Sequence, residues 1–140
     1  MTTQEFTNKL KEYNNIGAFI EENAHEFDED AFRNYLEVLL QRSGMNPSQL
    51  GTKTGATSYI YDMMKNPNKD TGKNVLVRLA LGLSLNLDET NRLLTLGGRA
   101  SLRSKVRRDA IIIFSIEQGY SIAQANDVLY DYGLQTLDQK

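Results

Sequence analysis

Cysteine is absent from the 140-residue chain, and histidine occurs once, as His25. Without thiols the chain forms no disulfide framework and no thiolate metal site. A lone histidine has no second imidazole to share a metal with, and no Ser-His-Asp set accompanies it. His25 therefore reads as an ordinary surface side chain, and neither a metal nor a cofactor is expected. Long apolar runs are missing too. The longest, at 110–114, covers five residues, against the roughly 20 that a membrane-spanning helix needs. The opening Met1-Thr2-Thr3-Gln4-Glu5 is polar and lacks the basic and apolar segments of a signal peptide, which leaves the cytoplasm as the expected location. No segment alternates apolar and polar residues as a half-buried strand would. There is neither an internal repeat nor a low-complexity tract.

Apolar residues are present in quantity. They make up 40% of the chain, enough for a core in a length that fits one compact domain with a small satellite. The net charge of −2 conceals a segregated pattern. Residues 1–39 carry nine acids and three bases, whereas residues 40–85 carry six bases and two acids. Residues 99–108 then hold five bases and no acid. A protein that binds phosphate needs a basic face, not a basic total, and here two basic segments flank one helical core. The plainer reading of both is solvated helix surface.

Helical spacing dominates the chain. Thr3 is placed to cap a first helix with Phe6, Leu10 and Tyr13 on one face. Ile16, Phe19 and Ile20 mark a second. After the acidic Glu26-Phe27-Asp28-Glu29-Asp30, a third helix opens at or near Asp30. Its Phe32, Tyr35, Leu36, Leu39 and Leu40 form one stripe, and Ser43-Gly44 ends it. Asn46-Pro47-Ser48-Gln49 combines a capping side chain, a proline at the first helical position and a glutamine able to bond back. Gly55 stops that helix after about two turns. Thr57 or Ser58 caps the next, which runs to Lys65-Asn66-Pro67. A loop leads to a helix bearing Val75, Leu76, Leu79, Ala80 and Leu83. Asp88 with Glu89 caps a short helix through Leu94. Ser104 begins a helix whose centre, 110–114, is apolar on every side, the mark of a central helix. Ser121 caps the last, with Ile122, Ala125, Val128, Leu129 and Tyr132 inward and Gly133 at its end.

The informative stretch is Leu39 to Leu85. Two helices joined by a short turn containing Gly55 have the form of a DNA-binding helix-turn-helix. Leu50 is its buried residue in the first helix, Gly51 permits the close crossing, and Ile60 with Met63 or Met64 anchors the second. The recognition helix then spans about 57–66. Thr57, Ser58, Tyr59, Tyr61 and Asp62 lie toward its amino end, and Lys65 and Asn66 at the far end. Hydroxyls at these positions bond phosphates or base edges, and Asp62 repels phosphate. Ser48 and Gln49 begin the preceding helix, where outward amides suit a phosphate. Lys53, Lys65, Lys69, Lys73 and Arg78 supply neutralising charge. The helix carries no arginine, so the commonest base-specific contact is missing.

These residues resemble the Cro-like (xenobiotic-response-element type) helix-turn-helix family. The resemblance is carried by Pro47-Ser48-Gln49-Leu50-Gly51, Thr54-Gly55, Lys65-Asn66, Leu79-Ala80-Leu81-Gly82-Leu83 and the run from Leu87 to Leu94. Arg107-Arg108-Asp109-Ala110-Ile111, Asn126-Asp127-Val128-Leu129 and the acidic amino-terminal helix pair extend the resemblance, over nearly the whole chain, to a longer bacterial subgroup of these regulators. It implies a DNA-binding transcription regulator with a carboxy-terminal helical extension. The chain departs from the family at Pro67, where glycine is usual, and at Thr71-Gly72-Lys73-Asn74, where Pro-Ser-Arg-Asp is frequent. The resemblance implies that both are phosphate-facing positions.

Other patterns are weaker. The acidic 26–30 stretch lacks the ligand spacing and central glycine of a calcium loop. Gly51-Thr52-Lys53-Thr54-Gly55 is no phosphate loop, because no Gly-Lys-Ser/Thr follows. Arg108 is placed to brace a neighbouring carboxylate, and Asp109 suits a first helical turn. The reading is an all-α bundle: an acidic helical segment at 1–30, a helix-turn-helix domain at 31–96 and a helical extension at 97–140. Its expected function is non-enzymatic, sequence-specific binding of double-stranded DNA, as a homodimer on a two-fold operator. The alternative is an adaptor that uses the same fold to hold a protein partner.

Overall fold

A computed structural model describes residues 2–24, 30–65 and 71–138. Among them all regular structure is helical, in nine helices: α1 Thr3–Lys11, α2 Ile16–Glu22, α3 Ala31–Ser43, α4 Pro47–Thr54, α5 Thr57–Lys65, α6 Lys73–Gly82, α7 Leu87–Leu96, α8 Arg107–Gln118 and α9 Ile122–Asp131. The all-α expectation is met. No helix of the described residues is long and apolar enough to cross a membrane. His25, the acidic residues 26–29 and the loop residues 66–70 lie outside the described parts.

The centre of the molecule is α6. Every residue from 74 to 82 is buried, and the helix packs against α4, α7, α8 and α9. Sequence spacing assigns that place to α8, which is a correction. Within α8 only Asp109, Ile112, Ser115 and Ile116 are buried, and Phe114 is 51% exposed. Asn74 and Arg78 interrupt the apolar pattern of α6 and so disguise its burial. The unbroken run in α8 coats a helix that has neighbours on one side only. Close approach seats α6: a Cβ on Gly82 would lie 2.4 Å from the Thr54 methyl carbon of α4.

Around this helix the stripe of α3 is buried through Phe32, Leu36, Leu39 and Leu40, as its spacing predicts. The helix ends follow local chemistry. Asn46 and Gln49 form a reciprocal capping box at α4, and Ser121 and Gln124 form one at α9. At α7 the cap is Asn86, boxed with Glu89, and not Asp88. Thr2, one residue before Thr3, caps α1. The start of α8 is Arg107 and not Ser104, because the Arg103 amide donates to the Asp109 carboxylate at 3.0 Å and holds the preceding residues in a turn.

Two apolar faces differ from expectation. In the amino-terminal pair only Phe19 is buried, under the rings of Phe6 and Tyr13 at 5.1 and 5.0 Å. Leu10, Ile16 and Ile20 are exposed there, because among the described residues no further helix packs closely on this pair. In α9, Ala125 and Leu129 are buried but Tyr132 is 65% exposed. The tail accounts for that: it folds back through a 2.7 Å bond from the Leu137 amide to Asn126, and Leu137 is fully buried.

Candidate nucleic-acid interface

The α4–α5 pair is built by its turn. Gly55 ends α4 with a φ of +71°, a left-handed conformation that costs glycine nothing. Ala56 follows, fully buried, and its carbonyl accepts from the amides of Tyr59 and Ile60 at 2.9 and 3.0 Å. Ala56 therefore stands at the entry of α5, and Thr57, expected as a cap, is the first helical residue. At the crossing, a Cβ on Gly51 would lie 3.1 Å from the Thr57 Cα and 3.2 Å from a methyl carbon of Ile60. Only a residue without a side chain fits there unstrained. Leu50 and Ile60 are fully buried and Met63 nearly so, so the pair rests on the core as its spacing predicts.

Burial of Ile60 and Met63 turns the opposite side of α5 outward. Thr57, Tyr61 and Lys65, one helical turn apart, are exposed, and Tyr61 is 49% accessible. Asp62 is half-buried, and Tyr59 is half-buried against the core, so it acts as an anchor more than as a reading residue. From α4, Ser48, Gln49, Thr52 and Lys53 are exposed. Thr52 is not among the residues that the sequence singles out; its only signal is its place one turn after Ser48. The Ser58 side chain, Asn66 and Lys69 lie outside the described parts.

Several of these groups have internal duties. The Gln49 side-chain Oε1 accepts from the Asn46 backbone amide at 2.9 Å, and the Gln49 backbone amide donates to the Asn46 side chain at 2.8 Å. The Lys53 ammonium donates to the Gly82 carbonyl at 2.9 Å, at the negative end of the α6 dipole. Lys73 pairs with the buried carboxylate of Asp109 at 2.5 Å. Arg78, expected as a neutralising surface charge, is only 8% exposed. It belongs to the wrapped face of α6 and offers no surface cation, which corrects that expectation.

The second basic segment divides likewise. Arg103, Lys105 and Arg107 are exposed. Arg99 donates to the Thr71 carbonyl at 2.9 Å. Arg108 braces no carboxylate, contrary to expectation. It donates to the Gln135 and Thr136 carbonyls and to the Asn74 side chain, because Lys73 already holds Asp109. Burial lowers the Arg108 pKa below the ordinary guanidinium value.

Groups with displaced titration lie elsewhere. The hydrogen bond from Arg42 holds Glu89 below the usual carboxylate range, and burial raises Tyr35. Among the described residues no cluster of three His, Cys, Asp or Glu is placed to hold a metal ion. The arrangement at α4–α5 is thus a surface of hydroxyls, an amide and lysine, suited to binding. No family model matches this chain, and neither the curated proteins nor the solved structures contain a match to it.

Proposed function

We propose that α4 and α5 form the helix-turn-helix of a Cro-like, sequence-specific DNA-binding regulator, with α5 as its recognition helix. The observation that carries this reading is the outward side of α5: Thr57, Tyr61 and Lys65 stand clear of the core beside the tight Gly51 crossing. An exposed helix presented by a short partner is the geometry that enters a major groove. Hydroxyls and the Thr57 methyl then read base edges, and the exposed Ser48 at the amino end of α4 takes a phosphate. The bound form is a homodimer on a two-fold site, and the protein performs no catalysis.

Selection of bound genomic fragments by the full chain, followed by anisotropy titration, tests this. Thr57→Ala with Tyr61→Ala is expected to weaken the selected site by about tenfold or more, with little change on random duplex. No measurable binding to genomic DNA at about 50 mM salt, where phosphate contacts are strong, sinks the proposal. One observation favours the adaptor reading: the Asp109 carboxylate neutralises Lys73, and the Lys53 ammonium is tied to the Gly82 carbonyl, which leaves fewer lysines at liberty to reach a phosphate than the sequence suggests. Protein capture that fails when Thr57 and Tyr61 are replaced, together with absent DNA binding, would select that reading.

A further inference from the structure

A second face of the molecule is apolar and open. Arg107, Ala110, Ile111 and Phe114 of α8, with Val128 and Tyr132 beside them, line a groove of roughly 630 Å³. Phe114 and Tyr132 are 51% and 65% exposed, which is uneconomical for large rings left in water.

The order of residues on this side of α8 is informative. At about 100° per residue, Arg107, Ala110, Ile111, Phe114, Glu117 and Gln118 share one side, opposite the buried Ile112 and Ile116. Along the helix that side reads cation, apolar centre, anion. Arg107 and Glu117 are both exposed and make no ion pair among the described residues. A surface with a cation at one end and an anion at the other is complementary to itself when two copies run antiparallel. An axis through the bond between Ile112 and Ile113 sets Ile111 across from the second Phe114. The same axis sets Arg107 across from the second Gln118 and Glu117. Ala110 leaves room for the backbones to approach.

We propose that this face binds a second copy of the chain, α8 against α8 in antiparallel register about a two-fold axis, with Val128 and Tyr132 closing the flanks. The inference gives a surface to the dimer invoked above but does not rest on nucleic-acid binding, so its test contains no DNA.

The test is the molar mass of the full chain by sedimentation from low micromolar to several hundred micromolar. The mass is expected to rise from one chain to two. Phe114→Glu weakens association at least tenfold while the melting curve confirms an intact fold. Arg107→Glu and Glu117→Arg each weaken it severalfold. An equimolar mixture of those two variants pairs as well as the parent within about twofold, because each supplies the charge the other needs; the double variant does the same. A mass of one chain at every concentration overturns the proposal and leaves the groove to another occupant. So does a dimer indifferent to Phe114→Glu, or a charge exchange that restores nothing. Since DNA titration is separate, loss of one result leaves the other standing.

Discussion

At the scale of single residues, contacts decide which groups are available to a ligand. Lys53 and Lys73 read in one dimension as solvated cations, because nothing in the neighbouring residues announces the Gly82 carbonyl or the Asp109 carboxylate. Asp109 is only 4% exposed, and stripping it of Lys73 leaves a buried acceptor with the Arg103 amide alone. Lys73→Ala is therefore expected to cost about 1–3 kcal/mol, read from the urea midpoint. The slope of DNA affinity against salt is expected to stay unchanged, whereas a phosphate contact would reduce that slope by about one. Gly82 gives a second case. Alanine there drives its methyl into the Thr54 methyl, so Gly82→Ala is expected to lose about 1–3 kcal/mol. Adding Thr54→Ser removes the obstructing carbon, keeps a hydroxyl for the Leu50 carbonyl bonded at 2.7 Å, and recovers a good part of the loss. Thermal melts of the single and double variants decide it, and an unchanged single variant would refute the close crossing.

Elements were legible where their signals are local. The capping boxes of α4 and α9 and the glycine stops at Gly44, Gly55 and Gly119 lie within a few residues of the ends they set. The cap of α7 was displaced by two residues, because two consecutive acids suggest a helix start as strongly as the asparagine just before them. Depth was less readable than position. A run of apolar residues shows that a helix can be buried all round, but the neighbours decide whether it is, and α6 won that place despite two polar side chains. The α7 box also carries a pH signature. Arg42 bonds Glu89 and depresses its pKa from the ordinary 4.5. The folded state thus gains from ionised Glu89 above that value, and loses the gain as pH falls through the lower folded pKa. Glu89→Gln is expected to be less stable than the parent at pH 7 and indistinguishable from it in strong acid. A gap between the two denaturation midpoints that persists at low pH would exclude this ion pair as its source.

Across the whole molecule, acids gather at the amino end and bases in the middle. Neither α1 nor α2 adds a side chain to the main core, and deleting residues 1–30 takes away eight acids and two bases. That deletion is expected to raise affinity for random duplex severalfold at low salt, with the difference fading as salt screens it. Equal affinities at low salt would show that the acidic segment shields nothing. The molecule's other end behaves differently, because Arg108 stitches the carbonyls of Gln135 and Thr136 to Asn74. Gln135 and Thr136 thereby fasten the amino end of α6, the helix against which α4, α7, α8 and α9 pack. Trimming by a carboxypeptidase would work like pulling a drawstring: once Leu137 is gone, amide hydrogens in the first turn of α6 should exchange faster, even though the cut is made far along the chain.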